Sequence, residues 1–262
     1  MWPNGIRCAV CITFDLDAET AWQEDPRLVN NPGVQSQGRY GPKIGVPIIL
    51  DLLKRQAIES TFFIPGKIAE DYPHTIKAII DAGHEIANHS YSHTPLYNLS
   101  LEEEEEELVR TKAILEGFGV RIVGFRSPWE VSENTLFLLE KHKYLYSSNL
   151  MDDIRPYRHS DAELIELPLQ WITEDWAHFA YGQGLFIKKI ATNTEVREIW
   201  SDEFEGIFEF SGLFNLVLHP QVIGRPSRIK MLDEFISFIK AHDGVWIGTC
   251  LEIAEHVARV VP

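Results

Sequence analysis

The 262-residue chain reads as an α/β protein: a closed or nearly closed (β/α) barrel of seven or eight parallel strands, in a single domain over residues 1–262. Three observations predict this. Short runs of β-branched and aromatic residues are apolar throughout, which suits strands buried on both faces. Stretches with a 3.6-residue apolar period separate most of them, as crossover helices do in a parallel sheet. No repeat or linker-like segment divides the sequence, and a hydrophobic content of 45% is enough for a sizeable core. An open doubly wound sheet is the second architecture that fits the alternation.

Strands are expected at 8–15, 60–64, 84–88, 121–126, 144–149, 163–167, 213–218 and 244–248. Helices are expected at 45–56, 73–82, 101–116, 132–142, 195–206 and 227–241. The helix at 101–116 carries its own start signal, since Ser100 with Glu103 forms a capping box ahead of Leu108, Ile114 and Leu115. The acidic run Glu102–Glu107 suits the positive end of that helix and reads as a solvated face. Cys8 and Cys11 form a CxxC, but three residues apart on a strand they point to opposite faces, roughly 10 Å apart. Both read as small core residues. Segments 19–44, 150–162 and 172–194 lack a period, and irregular stretches of that length tend to cover functional sites. The first, with Arg39, Tyr40 and Gly41 before a helix, could fold over the site.

A formal charge of −15, from 24 Lys and Arg against 39 Asp and Glu, argues against nucleic acid and membrane surfaces as partners. No segment reads as a signal peptide or a bilayer-spanning run, and three cysteines are no disulfide framework. A cytoplasmic location is the expectation.

In this architecture ligands bind at the carboxyl ends of the strands, so reactive residues should follow the strand runs. The first run ends Thr13-Phe14-Asp15-Leu16-Asp17. Its two carboxylates project to one side, roughly 7 Å apart, so one can bind a cation while the other accepts a proton. The third run leads into Asn88-His89-Ser90-Tyr91-Ser92-His93. Histidines at i and i+4 share one face of a helical turn and can reach one metal. With Asp17 they make a three-ligand set that leaves positions open for water and substrate. Arg126 follows the fourth run, where a guanidinium can grip Asp15 through both oxygens. His219 follows the seventh and titrates in the range that suits a general acid.

These segments, with Gly83-His84-Glu85-Ile86-Ala87-Asn88-His89, Phe125-Arg126-Ser127-Pro128-Trp129 and Leu216-Val217-Leu218-His219-Pro220 in that order, resemble the motifs of the polysaccharide deacetylase superfamily. This is the nodulation-deacetylase homology domain, or carbohydrate esterase family 4, and the resemblance runs from about residue 8 to 255. It implies a distorted (β/α) barrel and one divalent metal, zinc with cobalt, nickel or iron as alternatives, on Asp17, His89 and His93. It further implies Asp15 as general base, Arg126 as its partner and His219 as general acid. Most members place the two aspartates side by side, whereas Leu16 separates them here. That departure resembles a cytosolic branch with peptidoglycan-deacetylase-like, allantoinase-like and cyclic imide hydrolase members, and suggests a homo-oligomer such as a tetramer.

The expected activity is metal-dependent hydrolysis of a non-peptide C–N bond, first of an N-acetylated sugar and alternatively of a small cyclic imide or ureide. The partner is accordingly a small molecule or an oligosaccharide. Trp129, Trp171 and Tyr40 are the aromatics expected near it. Two remote alternatives remain on the residues alone. A non-haem Fe(II) oxygenase shares the two-histidine, one-carboxylate set, and a non-catalytic sugar-binding relative could keep it too.

Overall fold

Strand β1 (Cys8–Asp15) is buried along its whole length, and the parity of its side chains sorts the core into two layers. Cys8, Val10, Ile12 and Phe14 face outward into the apolar cluster under the helices. Ala9 and Cys11 face inward, with Phe63, Ala87 and Tyr146, into a smaller cluster inside the barrel. The two cysteines of the CxxC therefore lie in separate layers, as free thiols. Thr13 and Asp15 continue the inward series, so the interior turns polar toward the carboxyl end of the strand. In the computed structural model, residues 1–23, 25–160, 162–180 and 190–261 are described.

The remaining strands are β2 (Thr61–Ile64), β3 (Glu85–Asn88), β4 (Gly124–Phe125), β5 (Tyr146–Ser147), β6 (Tyr157–Arg158), β7 (Ile165–Glu166), β8 (Leu213–Leu218) and β9 (Val245–Ile247). Their order is β6-β7-β5-β4-β3-β2-β1-β8, with β9 paired to the first residues of β1. Every pairing is parallel except β6 with β7. The sheet curls into an incomplete barrel. Between β7 and β8 no ladder forms among the described residues; instead the Asn215 amide donates to the carbonyls of Leu167 and Pro168 at 3.4 and 3.1 Å.

The helices are α1 (Pro32–Tyr40), α2 (Val46–Gln56), α3 (Gly66–Asp71), α4 (Pro73–Asp81), α5 (Leu101–Glu116), α6 (Thr135–Lys141), α7 (Asp175–Phe179), α8 (Asn193–Glu209), α9 (Pro220–Ile223), α10 (Pro226–Lys240) and α11 (Cys250–Val260). Several were not expected. The segment 19–44 is largely helical: a 3₁₀ turn at Ala18–Trp22, then α1, then a π-helical turn at Gly41–Gly45 that runs into α2. Asn31 starts α1 by accepting from the N–H groups of Gly33 and Val34, with Pro32 at the first position. The π-helical turn packs so closely that a Cβ on Gly45 would lie 2.3 Å from the Pro220 carbonyl. At β4, Gly124 has to be glycine because the Tyr146 ring lies across it. Of the irregular segment expected at 172–194, residues 181–189 lie outside those described.

The acidic run on α5 is a second correction. Its capping box forms between Ser100 and Glu103, but the run is not simply solvated. Glu104 is buried and accepts from Ser132 and Thr135, Glu105 pairs with Lys141 and His142, and Glu107 turns to the loop after β3.

Candidate active site

Register brings the site to one level. Asp15 pairs with Phe63, Ile64 with Asn88, Asn88 with Phe125, and Phe14 with Leu218. His89, Arg126 and His219 each leave their strands one residue later, so their side chains converge over the carboxyl end of the barrel.

His89 and His93 are not on a helical turn, contrary to the expectation from their spacing. Ser90 and His93 have φ of 61° and 66°, the left-handed region, so the chain reverses tightly between the two rings. Side chains hold this strained loop. Asn88 Oδ1 accepts from Ser90 N at 2.8 Å, while Glu107 Oε2 accepts from Ser90 Oγ, Tyr91 N and Ser92 N at 2.7, 2.8 and 2.7 Å. The Nδ1–H of His89 donates to the Arg126 carbonyl at 2.8 Å, which leaves Nε2 free to coordinate.

The two Nε2 atoms lie 3.4 and 3.5 Å from Asp17 Oδ1. That oxygen is buried and has no hydrogen-bond partner among the described residues, an arrangement that costs free energy unless something charged is bound there. The three ligand atoms all lie within 4.8 Å of one another. Donors about 2.1 Å from a zinc-sized ion sit roughly 3.4 Å apart at tetrahedral angles, so the three side chains fit a metal. Burial opposes the charge on Asp17, but His93, His219 and His89 outweigh it and hold its carboxyl well below the usual range.

Beside it, Arg126 Nη1 donates to Asp15 Oδ1 at 2.7 Å and to Thr13 Oγ1 at 2.8 Å. The two-oxygen grip expected for this pair is absent. The rest of the guanidinium is turned to the Ser148 carbonyl and hydroxyl and to Asn215, and its face lies over Phe63. Arg126 is thus fixed by five partners and leaves Oδ2 of Asp15 unclaimed.

His219 approaches from β8. Its Nδ1–H donates to Asp175 Oδ1 at 2.6 Å and its backbone N–H to Asp175 Oδ2 at 3.0 Å, so one carboxylate fixes the ring and its tautomer. Nε2 then points to Asp17 Oδ2 at 3.5 Å and Glu174 Oε1 at 3.9 Å. Burial disfavours the imidazolium, yet Asp17, Asp175 and Glu174 together push the pKa up to about 10. Glu174 itself is pushed up to about 7, chiefly by burial, with His219 opposing and the neighbouring aspartates adding.

Sequence reasoning did not single out Asp175, Glu174, Trp176, Gln221, Ser148 or Asn215. The missing signal is a tertiary one, because Glu174 forms a bridge to Val217 that brings this segment beside β8. Of the aromatics expected at the substrate, Trp129 and Trp171 are 45% and 62% exposed, and among the described residues neither ring stacks on a site histidine. Tyr40 donates to the Gly224 carbonyl and lies under Arg225. The ring against the site is Trp176, 5.2 Å from His219, with Trp22 packed behind it at 5.6 Å.

Comparison with known proteins gives the family of the fold. The polysaccharide deacetylase family matches residues 40–146, which include both histidines and Arg126. A Mycobacterium smegmatis structure assigned to the polysaccharide deacetylases is 38% identical and superposes with a TM-score of 0.95, covering 100% of this chain and 94% of that one. Peptidoglycan deacetylase of Helicobacter pylori is 28% identical over 97% of both chains. The structure of PuuE allantoinase superposes with a TM-score of 0.86 at 25% identity, covering 99% of this chain and 93% of that one. The fold and the family match are those of a deacetylase-type hydrolase of C–N bonds. The chain belongs to the polysaccharide deacetylase family.

Proposed function

We propose that this chain is a metal-dependent hydrolase of non-peptide amide bonds, acting as a deacetylase on an N-acetylated sugar, with Asp17, His89 and His93 holding one divalent cation. The observation that carries the reading is Asp17 Oδ1, buried without a hydrogen-bond partner among the described residues and faced by two imidazole nitrogens at 3.4 and 3.5 Å. A metal held there supplies Lewis acidity and brings the pKa of water from about 15.7 toward about 7. Asp15, held at Oδ1 by Arg126, takes the proton of the attacking water at Oδ2. Its position is set by the Arg126 cradle rather than by solvent, so it meets the water without reorganising. His219, kept charged and oriented by Asp175, delivers a proton from Nε2 to the departing nitrogen. An amine is a poor leaving group unless protonated, which is why the site needs an acid opposite its base.

The same reading takes zinc as the metal, with cobalt, nickel or iron as substitutes on the same donors. It takes residues 1–262 as one catalytic domain, a homo-oligomer as the assembly and the cytoplasm as the location. Among the described residues no helix is long and apolar enough to cross a membrane.

A small cyclic amide is the second reading. The superposition on PuuE allantoinase at a TM-score of 0.86 favours it, as does the cover that α7 and α9 place beside His219. Acetate release from N-acetylglucosamine oligomers, and ring opening of cyclic imides and ureides, each with and without chelator, decide between the two. Chelator-sensitive acetate release supports the deacetylase; ring opening alone replaces it with the cyclic amidase. No chelator-sensitive turnover of either set contradicts both.

A further inference from the structure

A cavity of about 270 Å³ opens beside the site, lined by Trp22, Gln37, Trp176, Gln221, Arg225 and Arg228 among others. Two of its lining residues also touch the reaction centre. Trp176 packs on the His219 ring, and Gln221 Nε2 reaches Asp17 Oδ2 at 3.5 Å. The volume is near the lower end for ligand pockets, which are typically about 300–1,000 Å³, and suits one small ring rather than a run of sugars.

The two arginines are its unexplained feature. In a chain with 39 acidic and 24 basic residues, neither guanidinium has a carboxylate within salt-bridge distance among the described residues. Each is instead held by its face and by one hydrogen bond. Arg225 stacks on Tyr40 at 3.6 Å and donates from Nε to the Gln221 carbonyl at 3.3 Å. Arg228 stacks on Phe179 at 4.4 Å and donates from Nη1 to the Val222 carbonyl at 3.1 Å. The remaining N–H groups of both forks have no protein acceptor among the described residues. Arg228 is half-buried, and its burial and the neighbouring Arg225 charge both disfavour its ionised form, while Asp175 favours it. Two like charges side by side on a pocket wall, with faces stacked and edges that meet no protein acceptor among the described residues, suit recognition of an anion.

We propose that this pocket selects an amide substrate that carries a carboxylate, with Arg225 and Arg228 binding the carboxylate while the flat part of the molecule lies against Trp176 and the amide carbonyl meets the metal site. This rests on the amide-hydrolase reading above and names its substrate class. The carboxylate could belong to a small cyclic amide or to an acidic N-acetyl sugar, and the cavity's size favours the cyclic amide.

The test is calorimetric binding to the zinc-loaded Asp15→Asn protein, in which turnover is slowed about 10²–10⁴-fold. Two matched pairs serve as probes: pyroglutamate against 2-pyrrolidinone, and N-acetylmuramic acid against N-acetylglucosamine. The acid member of at least one pair is expected to bind about tenfold or more tighter than its neutral partner, and which pair does so identifies the source of the carboxylate. Adding Arg228→Gln should reduce that preference about tenfold, and Arg228→Lys should restore part of it, which separates charge recognition from misfolding. Equal binding of acid and neutral members in both pairs, or a preference unchanged by Arg228→Gln, overturns the proposal. Turnover by the wild-type protein is read separately. An acid preference without hydrolysis of any amide leaves the pocket intact and removes the activity on which it was placed.

Discussion

A half-buried carboxylate and a buried one occupy opposite ends of the same barrel interior, and they are treated in opposite ways. At the amino end, Glu85 accepts from Thr61 Oγ1 and Tyr146 Oη, each at 2.6 Å, and from the N–H of Leu251 at 2.9 Å. Burial pushes its pKa up even so. Those donors tie β2, β5 and α11 together and close the barrel floor. At the carboxyl end, Asp17 keeps one oxygen without any hydrogen-bond partner, faces imidazoles rather than hydroxyls, and has its pKa driven down. A structural carboxylate satisfies itself with the chain; a functional one is held incomplete by its neighbours. Burial alone does not tell the two apart, whereas the accounting of partners does.

The contrast can be broken from either end. The largest effect is expected at the rim. His89→Ala should abolish both metal retention and turnover, measured by elemental analysis and amide hydrolysis on the same sample. Next, Asp15→Asn should keep the metal and lower kcat by about 10²–10⁴-fold, the usual worth of a general base. A variant that turned over at the wild-type rate would remove Asp15 from that role. Asp175→Asn frees the His219 ring and should cost about 10²-fold in kcat with metal content intact, read against wild type under identical loading. At the floor, Glu85→Ala should act on stability alone. It strands buried donors, at about 1–3 kcal/mol for each unsatisfied group, so the urea midpoint falls while metal per folded chain does not.

The smallest effect lies at His84, one residue before Glu85 at the amino end. Ser60 N–H donates to its Nδ1 at 3.3 Å and its ring packs on Phe62; burial lowers its pKa from 6.5 to about 4. The folded protein therefore disfavours the proton that the unfolded chain takes up. The neutral ring's contribution to stability is complete above pH about 6.5 and is lost as pH falls from there toward about 4. His84→Gln should flatten the urea midpoint over that window. An unchanged slope would place the acid sensitivity elsewhere.

The rim was the more legible of the two ends, for physical reasons. Parity along β1 put Asp15 and Asp17 on one side at its carboxyl end, and four-residue spacing suggested that His89 and His93 meet. The spacing reached the right neighbours through the wrong geometry, because two left-handed residues rather than a helical turn bring the rings together. The carboxylate that permits this, Glu107, was hidden in a run of six acids, four of which make contacts. Asp175 was out of reach for another reason: its segment is placed by β8, and nothing local marks it. α11 was missed although its signal is local, a capping box of Thr249 with Glu252. The floor it closes depends on Glu85, a charged residue in a buried strand, which reads from sequence as an exception rather than as an anchor.

The measurement that bears most directly on the central claim is stoichiometric zinc binding by the chelator-stripped wild-type protein, by His89→Ala and by Glu85→Ala. Asp17, His89 and His93 as ligands predict one ion per chain in the wild type and in Glu85→Ala, and none in His89→Ala. Equal zinc in His89→Ala and wild type, or no zinc in the wild type, would contradict it.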